Sequence, residues 1–273
     1  MNGSFLEKFH SAAPDFPYFD GNMKNIHYFS HFHHEAEFAK VVKGSVEVCC
    51  GSDVFTAGAG DICIFMPGEI HIFVSVGDSE LYIMKINCKN SVEKQDFSSL
   101  RIHPNVIKKD DALNIKVSGY MDMLKKELSE KRDGYGYFAN SVSNMILCEV
   151  LRYDKTVRLS SEKKRHQRFA ENILGNVNMY IEGHFSEKIT LVDAAKCCNL
   201  SQYYFAHEFK KITNTTFLDY LTAYRLERAL LLLSSDMKMT EIAFECGFSN
   251  VRSFNRAFRK FYGMTPTEYI KQK

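Results

Sequence analysis

Between residues 37 and 86, apolar and polar positions alternate over short stretches, as at Val46, Val48 and Cys50. Gly44, Gly51-Ser52-Asp53, Gly58, Gly60 and Pro67-Gly68 interrupt the pattern. A period of two bounded by turn residues predicts strands, and several short ones in succession predict a β-sandwich or barrel. From Leu113 the period lengthens. Leu113, Val117, Tyr120, Met121, Leu124 and Leu128 fall at helical spacing. After Gly134 and Gly136 a second set follows at Phe138, Val142, Met145, Ile146, Val150 and Tyr153. The spacing predicts two helices, over 113–131 and 137–153, paired as a hairpin. Residues 152–168 carry Lys155, Arg158, Lys163, Lys164 and Arg165 with few apolar positions and read as a linker. Beyond them the pattern is helical. The expected fold class is α+β: a β-barrel with a helical hairpin over 1–155, a linker over 156–168, and an all-α domain over 169–273.

The all-α part contains an internal repeat. Ala-Lys-Cys-Cys-Asn-Leu-Ser at 195–201 pairs with Ala-Phe-Glu-Cys-Gly-Phe-Ser at 243–249, an offset of about 48 residues. Phe205, Phe209, Lys210, Lys211, Asn214 and Tyr220 then pair with Phe254, Phe258, Arg259, Lys260, Gly263 and Tyr269, one residue being gained inside the following helix. Each copy reads as a short helix, a tight turn at Asn199 or Gly247, a Ser able to cap the next helix, and a second helix with one apolar face. That is the pattern of a helix-turn-helix, whose turn needs positive φ and whose second helix enters the DNA major groove. Asn replaces Gly at both turn positions of the first copy, and Asn is the usual substitute in the left-handed region.

Residues 242–269 read Ile-Ala-Phe-Glu-Cys-Gly-Phe-Ser-Asn-Val-Arg-Ser-Phe-Asn-Arg-Ala-Phe-Arg-Lys-Phe-Tyr-Gly-Met-Thr-Pro-Thr-Glu-Tyr. This long motif resembles the AraC/XylS family of transcription regulators, and the resemblance runs from about 173 to 270. It implies two helix-turn-helix units joined by a long helix, here 217–234. It also implies contact with base edges through Gln202, Tyr203, Ala206 and His207 of the first recognition helix and Val251, Arg252, Asn255 and Arg256 of the second. Arg pairs bidentately with guanine and Asn with adenine, whereas Val and Ala touch only a thymine methyl, so Arg252, Asn255 and Arg256 lead. Lys210, Lys211, Arg259 and Lys260 are placed for phosphates. Periodicity assigns Tyr204, Phe205, Phe209, Ile212, Phe254, Phe258 and Phe261 to the core. His207 stands where the family commonly has Arg, and Glu208 where an apolar residue is usual, so the second unit matches more clearly. The implied partners are double-stranded DNA, a second copy of the chain joined through the helical hairpin, and RNA polymerase if the protein activates.

Charge agrees with a DNA partner. The chain of 273 residues has net charge +2, unevenly spread: residues 163–273 carry 17 basic and 11 acidic side chains, and residues 1–162 carry 18 and 22. No run approaches the ~18 apolar residues of a membrane span, and the first 19 residues lack the form of a secretory signal, so the cytoplasm is expected. The eight cysteines include the adjacent pairs Cys49-Cys50 and Cys197-Cys198 and show no zinc-finger spacing; they read as small buried hydrophobes, with a thiol sensor as the alternative.

His31-Phe-His33, Glu37, Gly44 and, after Pro67-Gly68, His71 resemble the cupin pattern. Strand alternation puts His31 and His33 on one face. In metal-dependent cupins the matching residues hold a divalent ion, and in AraC-type regulators the same half-motif lines a pocket for a sugar or other metabolite. The stretch from Pro67 to His71 is one residue shorter than in the metal-binding enzymes, and the Asn that usually follows is absent. An effector at His31, His33, Glu37 and His71 is therefore the first expectation, with a divalent ion on the same residues, or purely structural histidines, as alternatives. An aromatic arm of Phe5, Phe9, Phe16, Tyr18 and Phe19 is positioned to close over such a pocket or to pack on the barrel. The functional expectation is an effector-controlled regulator without catalytic residues. The competing one is a metal-dependent cupin enzyme, such as a dioxygenase or isomerase, or a metal sensor, fused to a DNA reader.

Overall fold

The computed structural model describes residues 18–26, 30–51, 53–90 and 95–271. The chain divides into two compact units, Met1–Glu171 and Asn172–Lys273.

The first unit is built on a six-stranded antiparallel sheet of β1 (Tyr18–Lys24), β2 (Ala36–Cys50), β3 (Asp53–Gly58), β4 (Ile62–Phe65), β5 (His71–Ile86) and β7 (Val106–Ile107), in the order β1-β5-β2-β4-β7 with β3 also on β2. A second ladder joins β6 (Leu100–Ile102) to β8 (Thr156–Arg158). The strands differ from the short series expected, since β2 and β5 run 15 and 16 residues and pair along their length. Gly44 is a bulge rather than a turn: the register shifts on both sides of Lys43 and the strand continues. One side of β2 therefore serves two partners, β4 with its first half and β3 with its second.

Alternation along these strands divides the core. Phe38, Ile64, Met84 and Ile86 face the helical hairpin of α1 (Ala112–Glu130) and α2 (Tyr135–Arg152), meeting Val117, Met121, Leu124, Val142 and Ile146. Ala39, Val41, Cys63, Phe65, Phe73 and Ile83 face the other way and pack on one another. With both faces covered, β4 and the end of β5 are buried without interruption, which explains their continuous apolar runs. Gly134 caps α2 and Gly136 lies inside it, so only the first of the two glycines breaks the helices. Phe5, Phe9 and Phe16 of the aromatic arm lie outside the described residues, while Tyr18 and Phe19 begin β1.

The segment 156–168 is not an irregular connection. It contains β8 and the first turns of α3 (Ser161–His184), which continues past the division between the units. Its charge is that of an exposed strand and helix face, which composition alone does not distinguish from a linker.

The second unit holds the remainder of α3, then α4 (Leu191–Cys197), α5 (Gln202–Thr213), α6 (Phe217–Leu232), α7 (Met239–Glu245), α8 (Val251–Tyr262) and α9 (Pro266–Lys271). The expected turn residues all have positive φ: 54° at Asn199, 77° at Gly247, 56° at Asn214 and 73° at Gly263. Side-chain caps start the helices, Thr190 with Asp193 in a capping box for α4, Ser201 for α5 and Thr216 for α6. α8 departs from the expectation. Asn250, not Ser249, accepts from Ser253 N at 2.8 Å, so the residue gained in the second copy lies at the cap and both recognition helices have 12 residues. Phe205 and Phe209 pack edge-on against Phe217, and Phe254 and Phe258 pack with Phe248 and Tyr269. Each copy thus has its own aromatic centre.

Gly247 is held tightly. A Cβ there would lie 2.3 Å from the Phe185 carbonyl oxygen and 2.8 Å from the Arg225 guanidinium, which itself donates to the carbonyls of Phe185 and Glu187. Gly247→Ala combines a left-handed backbone with this overlap, so we expect a loss of about 2 kcal/mol or more in unfolding free energy. Denaturant unfolding that shows no loss would contradict the packing described.

Candidate effector site and nucleic-acid interface

The register of β2 places Glu37 between Phe65 on β4 and Lys85 on β5, on the face turned away from the hairpin. A carboxylate so buried, 1% exposed, needs partners. His31 and His71 exchange backbone hydrogen bonds, N to O at 3.2 and 3.0 Å, and the His33 carbonyl accepts from Gly68 N at 2.8 Å. This ties the segment 31–33 to the turn before β5. All four predicted residues meet there: one ligand atom from each of His31, His33, Glu37 and His71 lies within 4.8 Å of the others. His31 and His33 reach the cluster from an irregular segment joined by an isolated bridge rather than from a regular strand, while Phe32 between them is buried.

The chemistry follows from hydrogen bonding. His33 Nδ1 lies 2.9 Å from the Glu35 carbonyl and His71 Nδ1 2.8 Å from the Glu69 carbonyl. A carbonyl only accepts, so each Nδ1 carries a proton, and a ring with that one proton presents the lone pair of Nε2 to the cluster. His33 Nε2 is 2.9 Å from Glu37 Oε2, which places lone pair against lone pair unless a cation lies between them. A proton is disfavoured there, because burial, and then the charge of Lys85, lowers the His33 pKa. His31 is held well below the usual histidine range by burial and then by His71. Burial alone would raise Glu37; the Lys85 charge is the largest of the effects that oppose it and hold the carboxyl well below its ordinary value. Glu37 Oε1 and His71 Nε2, buried and 3.5 Å apart, have no hydrogen-bond partner. Three imidazoles and a carboxylate, with two of the rings oriented by backbone carbonyls, fit a first-row divalent ion.

Lys85 was not anticipated. Its ammonium is 3.4 Å from Glu37 Oε2 and 1% exposed. The signal was present in the run Leu-Tyr-Ile-Met-Lys-Ile at 81–86, where one charge interrupts an otherwise apolar stretch. A second layer was also missed. The Glu69 carboxylate accepts from Met66 N at 2.9 Å, Asn105 Nδ2 at 3.0 Å and the Cys50 thiol at 3.3 Å, and lies 3.6 Å from Arg101. Arg101 also donates to Gln167 on α3, and the Gln167 amide donates to the Pro67 carbonyl at 3.4 Å. At Gly68, whose φ is +78°, a Cβ would lie 2.0 Å from the Glu171 carboxylate and 2.3 Å from the Gln167 amide, so both side-chain ends would have to move aside.

In the second unit, Gln202, Tyr203, His207, Lys210 and Lys211 of α5 and Arg252, Asn255, Arg256, Arg259 and Lys260 of α8 are exposed, while Phe205, Phe209, Phe254 and Phe258 are fully buried beneath them. Arg252 and Arg256 are four residues apart and share one face. Ala206 is half-buried, and Val251 packs partly against the core of its copy. Tyr204 is not core as expected: it is 46% exposed, because it occupies the position of Ser253, on the rim rather than under the helix. Ile212 and Phe261 are only half-buried. Lys260 is engaged by Asp219 of α6 at 2.6 Å, and His207 by Glu208 at 3.2 Å, which leaves Lys210, Lys211 and Arg259 as the clearer phosphate candidates.

A helix-turn-helix domain family matches residues 194–272, and a cupin domain family matches residues 27–87. The chain is similar to the probable transcriptional regulator LumQ of Photobacterium leiognathi, 32% identical over 58% of this chain and 61% of that protein. It is also similar to the uncharacterized HTH-type transcriptional regulator YdeC of Bacillus subtilis, 38% identical over 34% of this chain and 32% of that protein. It thus spans about three-fifths of the first relative and a third of the second. Among solved structures, the unsaturated fatty acid-bound ToxT of Vibrio cholerae shares the fold over 93% of this chain and 95% of its own, with TM-score 0.53 and 12% identity. Cupin and helix-turn-helix domains thus match successive parts of the chain. No helix among the described residues is long and apolar enough to cross a membrane.

The buried pair of Glu37 and Lys85 generates a measurement on the first unit alone. In metal-free buffer, Glu37→Gln leaves the Lys85 ammonium without its counter-charge and is expected to cost about 3 kcal/mol. Adding Lys85→Met should recover most of that loss, and the double-mutant cycle by urea unfolding should show strong coupling. Additive losses would mean that the pair does not interact.

Proposed function

We propose that the chain is a sequence-specific DNA-binding transcription regulator controlled by what the cupin unit takes up at His31, His33, Glu37 and His71. The observation that carries the DNA reading is the duplicated scaffold: two recognition helices of equal length, each on its own aromatic centre, expose polar and basic residues on the face opposite the core. Arg252, Asn255 and Arg256 supply base contacts from the second helix, and Gln202, Tyr203 and His207 from the first. LumQ and YdeC, both described as transcriptional regulators, support this reading. A second copy of the chain is the expected partner at the hairpin, where Ile115 and Met123 of α1 and Tyr137 and Met145 of α2 are exposed.

For the controlling ligand, the orphaned Glu37 Oε1 and His71 Nε2 and the carbonyl-oriented rings favour a divalent ion at the cluster over an organic molecule held by the same atoms. The ion supplies positive charge between His33 and Glu37; the chain's own residues orient the lone pairs toward it. Its uptake is felt outside the cluster because the His71 ring is tied to the backbone of Glu69, whose carboxylate faces Arg101, which holds Gln167 on α3. α3 is the helix that continues into the second unit.

Arg252→Ala or Arg256→Ala should each cost about 1–3 kcal/mol on a DNA site selected from a random pool and relax preference at one base position. Lys211→Ala should weaken selected and scrambled DNA alike and lower the salt slope by about one. Equal losses on both DNAs for the arginine variants would remove direct readout, and a monomer by light scattering of the same samples would remove the dimer. Zn²⁺ or Co²⁺ should bind with one ion per chain and change DNA affinity. His71→Ala should abolish uptake, while Arg101→Ala should keep uptake but lose its effect on DNA. An Arg101→Ala protein that responds like the wild type would show that the signal leaves the cluster by another route.

A further inference from the structure

The sequence reading of all eight cysteines as buried hydrophobes holds for Cys63, Cys88 and Cys246 but not for Cys148 or the two adjacent pairs, which are half-buried; all eight are free thiols. The pairs differ in geometry. Cys49 and Cys50 are consecutive on β2, where consecutive side chains project to opposite faces, and Cys50 donates to Glu69 inside the unit. Cys197 ends α4 and Cys198 is its C-cap, so the chain has left helical geometry between them and brings both sulfurs to one side, 3.8 Å apart. We propose that Cys197 and Cys198 form a dithiol site for a trivalent arsenical, which bonds both sulfurs at once and disables the first helix-turn-helix.

The repeat supplies an internal reference. Cys198 corresponds to Cys246, which is fully buried and fills the same place in the second copy, while Cys197 corresponds to Glu245. The fold therefore asks for the second cysteine of the pair and not for the first. Cys197 donates to the Ala194 carbonyl at 3.1 Å, and the Cys198 thiol has two acceptors in reach, the Cys197 sulfur at 3.8 Å and the Ile173 carbonyl at 3.7 Å, so both thiols are held in place at little further entropic cost. The hydrogen bond between the two sulfurs lowers the Cys197 pKa below the ordinary thiol value and raises that of Cys198, which favours attack by Cys197 first. With phenylarsine oxide as the probe, two As–S bonds form, the As–O bonding is lost, and the two thiol protons leave with the oxygen as water; no electrons are transferred. The loaded pair sits directly before Asn199, whose left-handed backbone sets the angle between α4 and α5. Pulling the sulfurs together there disturbs the C-cap of α4 and the entry to the recognition helix.

The test uses the full chain, fully reduced, with phenylarsine oxide in the presence of excess glutathione, which competes away arsenic bound through single thiols. Intact-mass measurement should show one arsenical per chain, removed by 2,3-dimercaptopropanol. Cys197→Glu copies the second repeat and should abolish uptake, Cys197→Ser should do the same if that variant folds poorly, and Cys49→Ser should retain it. Uptake that survives both Cys197 substitutions, or that disappears with Cys49→Ser, overturns the site. Loaded protein should elute earlier than unloaded protein in a salt gradient from a sheared genomic DNA column, and the dithiol should restore retention. This second arm rests on the DNA-binding reading; uptake with unchanged retention overturns the disabling effect while leaving the site in place, and failure of the unloaded protein to bind the column counts against the DNA reading instead.

Discussion

A carboxylate buried between two central strands is the constraint around which the first unit is arranged. Glu37 cannot be left charged in that position without neighbours, nor can it reach water. Lys85 answers it across the ladder, and three histidines answer it from the segment at 31–33 and the start of β5. Those histidines are useful only if their rings are oriented, and the carbonyls of Glu35 and Glu69 orient two of them. Orientation of His71 in turn ties down the turn before β5, where Glu69 folds back to accept from Met66, and where the Gln167 and Glu171 side chains of α3 close on Gly68. Local chain geometry, strand register and the start of the connecting helix are thus consequences of one buried charge.

The second unit obeys a different constraint, the need to repeat one scaffold while varying its surface. The positions that set the scaffold are the same in both copies in physical kind: a residue tolerant of positive φ at the turn, a side-chain cap, and phenylalanines at the same two steps of the second helix. The positions that vary are the ones turned outward. Tyr203 stands opposite Arg252, Ala206 opposite Asn255, and His207 opposite Arg256, so the second copy carries more of the groups that pair with purine edges. Two copies that pack alike and expose different chemistry are what reading two unlike half-sites requires.

Much of this was legible in the sequence because it rests on local rules. Period and punctuation give the hairpin at 113–153, and Asn in place of Gly gives the turns, since steric preference at one residue decides both. The four cluster residues were legible by their spacing, although the irregular segment that carries His31 and His33 was not. What escaped depends on long-range register. Whether Gly44 ends a strand or bulges within it depends on β5, which is more than 25 residues away in sequence. The strand and helix inside 156–168 depend on β6 and on the turn at Pro67, and polar composition hides both. Lys85 was passed over because a single charge in an apolar run has no meaning until the opposing strand supplies Glu37. The exposure of Tyr204 escaped because it adjoins Phe205 at the start of α5, and helical periodicity does not show on which side of Phe205 the apolar face ends.

Lys85 also bears on the ion proposed for this cluster. A site that depends on metal to fold leaves its carboxylate uncompensated when empty, and such domains come apart without the ion. Here the ammonium supplies a counter-charge to Glu37 without an ion. The same ammonium opposes a dication arriving at the neighbouring donors, and the repulsion lowers affinity below what three imidazoles and a carboxylate provide by themselves. A site that folds when empty and binds against a resident charge releases its ion as free concentration falls. Reversible occupancy over a working range of concentration is the property of a sensor, whereas a resident catalytic metal is held by a donor set with nothing competing for its carboxylate. For an ion taken up as proposed, the buried lysine therefore favours a regulatory role over a catalytic one.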